Sequence, residues 1–260
     1  MLNMSYEELM ALGLTDEEAK AIAINTSSSS GGAGLPFPQL KLNYEADAGK
    51  VGSYLYDTKK DKEGTILSVG EAFENGVEFI MVAVRCQYSK FDATLGRSVV
   101  SSNIVNTRDS KTAVDLKSGM SIAKLGGKEA GIKYTKIIAG LLKSADGSFK
   151  PFLSYISGAA LFAFNEAIKD EDLIRSVIKI GGTVKGKKGS VVFYTPTDIT
   201  VTDTPMEDVV KNIKQVAEVS KKFNAWVAGV NGTLGTKEVS DTPTNTASKG
   251  AKTQEEDIVW

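Results

Sequence analysis

Aromatic and cationic side chains recur together along this sequence. The stretch "GSYLYDTKKDK" carries Tyr54, Tyr56, Lys59, Lys60 and Lys62, and "VRCQYSKF" carries Arg85, Tyr88, Lys90 and Phe91. Lys150 and Phe152 lie in "SFKPFLSY", while Lys185, Lys187 and Lys188 precede Phe193 and Tyr194 in "VKGKKGSVVFY". Ring faces can stack on unpaired bases, and ammonium or guanidinium groups can track phosphates. Together they predict contact with a single nucleic-acid strand, without sequence readout. For any one ring the competing assignment is the hydrophobic core; the closeness of the cations argues for surface.

Other chemistries find less support. The chain has no histidine, which removes the commonest general base and zinc ligand and the standard triads. Its one cysteine, Cys86, permits no internal disulfide and suits a reducing compartment. In "GGTVKGKK", Gly181, Gly186 and Lys187 have phosphate-loop spacing, but Lys188 stands where a Ser or Thr should hold magnesium. Strand patterns on both sides predict a basic hairpin tip instead. The acidic run "KDEDL", one turn after Glu166, reads as a solvated helix end. No enzyme activity, metal or cofactor is predicted.

The chain finishes in "QEEDIVW". Glu255, Glu256 and Asp257 lead into Ile258, Val259 and Trp260 after a polar, small-residue stretch. An apolar terminus on such a stalk suits a basic-rimmed hydrophobic pocket on a partner protein. It can also compete with nucleic acid for the chain's own lysines.

These residues need elements to position them. Composition is that of an ordinary globular protein, and no apolar run approaches the ~18 residues of a membrane span. The first residues are acidic and predict no secretory leader, so a cytoplasmic setting is expected. Residues 1–40 hold one basic and five acidic residues, 41–200 hold 23 and 18, and 201–260 hold 7 and 9. A mildly basic body thus lies between acidic ends.

Residues 1–24 read as a small helical appendage, tethered rather than packed, with Thr15 and Glu18 as a capping box. A Ser/Gly linker follows over 25–34. Residues 35–230 form the body and 231–260 a disordered, acidic-ended tail. Within the body, "KLNY", "SYLYDTKK", "GTILSVG", "VEFIMVAVRCQYSKFD" and "SVVSSNIVNT" read as strands, and "IRSVIKIGGTVKGKKGSVVFYTPTDITVTD" as a hairpin. "YTKIIAGLLK" and "FLSYISGAALFAFNEAIKDED" have helical spacing. A closing helix follows Thr204 and Pro205, with Glu207 completing its cap. The fold class is mainly β with inserted helices (α+β), an elaborated OB-like barrel.

The tail "EEDIVW", after a low-complexity linker and a basic β body, resembles the acidic, aromatic-ended tail of single-stranded DNA-binding proteins. The body from "LPFPQLKLNY" to "VRCQYSKFD" resembles divergent bacteriophage members of that group. Trp260 replaces the usual Phe of the bacterial family, and the helical stretches depart from a minimal OB barrel. The resemblance implies a protein that protects single-stranded DNA in phage replication or recombination, inside the infected cell. It also implies that the tail recruits replication or recombination proteins. The alternative is a non-enzymatic phage structural or interaction protein whose tail docks a partner.

Overall fold

The computed structural model describes residues 10–11, 13–16, 35–61, 65–106, 108–168, 176–189, 191–203 and 206–232. The strands are β1 (Leu40–Leu42), β2 (Tyr54–Lys60), β3 (Ile66–Phe73), β4 (Val77–Asp92), β5 (Arg97–Ser101), β6 (Lys133–Lys143), β7 (Phe149–Ser157), β8 (Ser176–Lys188) and β9 (Val191–Asp203). Helix α1 (Gly158–Ala167) separates β7 from β8, and α2 (Met206–Gly232) follows β9. The chain is mainly β with helices.

Two antiparallel sheets result. One has the order β1-β2-β3; the other runs β7-β6-β4-β8-β9, with β5 also on β4. A parallel bridge from Gln39 to Leu153 ties them together, and the Gln39 carbonyl accepts the Asp57 N–H at 3.1 Å. Neither sheet closes on itself.

Strand β4 explains the layering. Its apolar run is continuous because both faces are buried, and the pleat sends alternate residues into different cores. Phe79 and Met81 join Tyr54, Tyr56, Phe152, Ile178 and the α1 residue Phe164. Ile80, Val82 and Ala83 join Ile137, Leu141 and the α2 residues Ile213, Val216 and Phe223. The larger sheet is therefore sandwiched between α2 on one face and the smaller sheet with α1 on the other. At the far end of α2, the Asn231 side chain accepts the Ile104 N–H at 2.7 Å and donates to the Ile104 carbonyl at 2.8 Å.

Three expectations are corrected. "YTKIIAGLLK" is strand β6, not a helix: residues 137–142 are all buried, and an apolar run buried on both faces has no periodicity to separate the two. The second predicted helix begins only at Gly158, since residues 149–157 pair with β6 along their length. Leu14, assigned to a tethered appendage, is buried in the α2-side core with Phe37. Appendage residues 1–9, 12 and 17–24, including Glu18, and Thr204, Pro205, the linker and residues 233–260 lie outside the described residues.

Candidate nucleic-acid interface

The hairpins β2–β3 and β8–β9 share one device. Asp57 and Asp198 both adopt φ 53°, a left-handed conformation that Asp tolerates better than most residues. Each faces a glycine across its hairpin, Gly70 and Gly181. A β-carbon there would lie 3.1 Å from Asp57 Cβ and 2.9 Å from Asp198 Cβ, so a side chain opposite Asp198 would force a shift and one opposite Asp57 would be tight. Beyond the kinks each hairpin continues as an arm. Past Ile180, which pairs with Val77, β8 runs beyond the start of β4 with β9 as its only strand partner among the described residues. The phosphate-loop spacing of Gly181, Gly186 and Lys187 therefore falls inside a strand, without the helix such a loop must enter.

Both arms present cations. Lys59 and Lys60 are exposed on β2; Lys185, Lys187 and Lys188 are exposed on β8. Lys62 lies outside the described residues. Direct pairing of Lys185 with Tyr194 and of Lys187 with Val192 puts these four side chains on one face of the β8–β9 ribbon.

Between the arms lies the turn from Asn43 to Ser53. Buried Asn43 shapes it, donating from Nδ2 to the carbonyls of Gly49 (3.2 Å) and Lys50 (3.1 Å) and accepting the Glu45 N–H at 2.9 Å. Gly52, at φ 87°, then lets the ribbon approach: Thr183 Oγ1 donates to its carbonyl at 2.7 Å, and a β-carbon would meet Tyr194 Cδ1 at 2.9 Å. Tyr44 points outward at 54% exposure and meets Tyr194 edge-on, ring centroids 5.5 Å apart. Its neighbour Glu45 pairs with Lys60 of the other arm. The turn thus touches both arms, and exposed Tyr44, backed by half-buried Tyr194, sits between two cationic ribbons.

Burial lowers the Lys41 ammonium from its ordinary value and the nearby Lys60 charge lowers it further, with Glu45 opposing. Phosphate beside these two cations would relieve their repulsion. Tyr54 lies beneath: burial pushes its phenol well above the usual range, Tyr44 adds to this, and its hydroxyl has no hydrogen-bond partner among the described residues. Ser53 Oγ is likewise buried and unpartnered among them.

The structure revises the stacking assignment for four rings and the phosphate role of one cation. Tyr54, Tyr56, Tyr88 and Phe152 are all buried, so none offers an open face to a base. Tyr56 donates its hydroxyl to the Pro151 carbonyl at 3.1 Å. Phe152 meets Phe79 edge-on at 5.2 Å, and Tyr88 packs on Tyr134 at 5.4 Å. Arg85 is buried against α2. It donates to the Val84 carbonyl at 2.8 Å and Asn224 Oδ1 at 2.9 Å, and lies 5.8 Å from the Phe223 ring centroid. Lys150 is only half-exposed, in an ion pair with Glu71 at 3.2 Å. Lys90 and exposed Phe91 lie at the opposite end of β4 from the arms.

The chain matches no protein-family profile, curated protein or solved structure. Among the described residues no three His, Cys, Asp or Glu side chains are grouped so as to hold a metal ion, and no helix is long and apolar enough to cross a membrane. The tail residues Glu255, Glu256, Asp257, Ile258, Val259 and Trp260 lie outside the described residues.

Sequence reasoning missed Tyr44 as a site residue and named Tyr194 only in passing. Tyr44 continues the alternation of Leu40 and Leu42 and so resembles a strand residue facing the core. The available signal was "NYEADAGKVGS", whose Asn and glycines mark a turn just after that tyrosine.

Proposed function

We propose that the protein binds single-stranded nucleic acid, and DNA in particular, between its two basic hairpin arms. Lys59 and Lys60 on one side and Lys185 and Lys187 on the other follow the phosphates, and Tyr44 with Tyr194 forms the surface on which bases stack. The observation that carries this reading is exposed Tyr44 set edge-on against half-buried Tyr194 between two cationic ribbons. Stacking tolerates any base and phosphate contacts carry no sequence information, so binding is indifferent to sequence. No catalytic step is part of the reading.

The resemblance to phage single-stranded DNA-binding proteins supplies the wider role: protecting single strands in replication or recombination while "EEDIVW" recruits partner proteins. The OB-like barrel of that resemblance would here take the form of two bridged, unclosed sheets. Anisotropy of a labelled oligo-dT at low salt tests the reading. Tyr44→Ala should weaken binding by about 1–3 kcal/mol, roughly 5- to 150-fold, with the fold unchanged. Absence of oligo-dT binding, or full affinity in Tyr44→Ala, refutes it.

A further inference from the structure

We propose that the chain holds two nucleic-acid segments at once, the second on a basic lobe at the far end of β4, and so promotes annealing of complementary strands. The inference rests on the reading of the arms as one strand-binding site.

The lobe is residues 86–136, where nine basic residues stand against four acidic, in a chain whose overall charge is −1. Three of the four acids are tied to backbone. Asp92 accepts the N–H groups of Thr94 and Leu95, Asp109 that of Lys111, and Asp115 those of Ser101 and Ser118. Among the described residues none of Arg97, Arg108 and Lys133 is within ion-pair distance of a carboxylate. Arg108 lies over the Tyr134 ring instead, 4.9 Å from its centroid.

The lobe also has an open ring. Phe91 is 64% exposed near the end of β4. Lys133 pairs with Ser89, two residues before Phe91, so ring and cation share one face of the sheet. Arg97 pairs with Asp92, the next residue, and so adds charge at the same strand end from the opposite face. An exposed ring with a cation on its own face and another at the same strand end is the combination that a single strand needs.

Separation makes this a second site. The arm β8–β9 leaves the sheet at Val77, and Phe91 lies roughly 45 Å further along β4 at about 3.3 Å per residue. A five-nucleotide oligo-dT, even drawn out to about twice the ~3.4 Å per nucleotide of duplex DNA, covers only about 34 Å and so cannot reach both ends. Two short strands can bind together, and two complementary long strands would be held by one molecule at raised local concentration.

The test is titration of the full-length protein with labelled five-nucleotide oligo-dT at low salt, alongside a fluorescence assay of annealing between two complementary oligonucleotides. The wild type should take up two oligonucleotides per chain and speed annealing at least tenfold. Arg97→Glu with Lys133→Glu, both at exposed positions, should leave one bound oligonucleotide and abolish the acceleration; Phe91→Ala should weaken only the second binding event. Tyr44→Ala should weaken the other event and leave the lobe's intact. A single oligonucleotide per wild-type chain, or unchanged stoichiometry in the lobe variants, overturns the inference while leaving the arms as a site. No binding by any form overturns the reading of the arms and this inference with it.

Discussion

Phe152→Ala separates the core from the nucleic-acid surface. In the sequence this ring stands beside Lys150 and looks like a stacking residue; in the fold it is fully buried. Truncating a buried Phe costs about 3–5 kcal/mol in transfer and cavity terms, and the lost edge-to-face contact with Phe79 favours the upper part of that range. Collapse into the gap is opposed because Phe79 is itself held in the central strand. For a domain of this size about 4 kcal/mol is a large share of the 5–15 kcal/mol that keeps a fold intact. The melting temperature should fall by roughly 8–16 °C. Urea unfolding followed by circular dichroism should show the midpoint falling with little change in slope. Oligo-dT affinity per folded molecule should stay within about twofold of wild type, as expected for a ring outside the stacking surface. A variant with unchanged midpoint and weakened oligonucleotide binding would refute the assignment of Phe152 to the core.

Arg85→Ala should lower stability by about 1–3 kcal/mol, because Asn224 Oδ1 and the Val84 carbonyl lose a buried charged donor; urea midpoints check this, and oligo-dT affinity should not change. Glu71 is buried enough to favour protonation, but bonds from the Ala145 N–H, Lys150 and Ser144 outweigh this and hold its carboxyl below the ordinary 4.5. A depressed folded value means that its contribution is present above the ordinary value and is lost as pH falls through the folded one; Glu71→Gln should flatten the acid end of the stability profile. Truncation after Thr253 should leave the unfolding curve unchanged and hold or raise oligo-dT affinity at low salt, since the removed carboxylates no longer compete with phosphates. Pull-downs of replication proteins should fail for the same truncation and for Trp260→Ala.

Much of the fold was legible where local signals agree with the environment. The run "VEFIMVAVRCQYSKFD" is strand β4 over its whole length, and the Gly/Lys stretch at 181–189 is a hairpin arm. Strand β6 was illegible because burial on both faces erases the period that would identify it. The site was half legible. Lysine clusters announce themselves, since charged side chains stay in water wherever the chain goes. Rings do not: Tyr56 and Tyr44 belong to the same alternating "LKLNY…SYLY" region, yet one is buried beneath the sheet and the other projects from a turn. What distinguishes them is the Asn43 network and the approach of Tyr194, a contact between residues far apart in sequence.

In the proposed function, the two arms follow one strand's phosphates on either side of the tyrosine pair. The direct test is the slope of log affinity against log salt for labelled oligo-dT, measured for the wild type and for Lys59→Ala, Lys185→Ala, Lys187→Ala combined. Each phosphate contact on a single strand contributes about 0.7 to that slope, so the triple variant should have a slope shallower by about 2, with its fold intact. An unchanged slope, or a loss of affinity that salt does not alter, would contradict the claim.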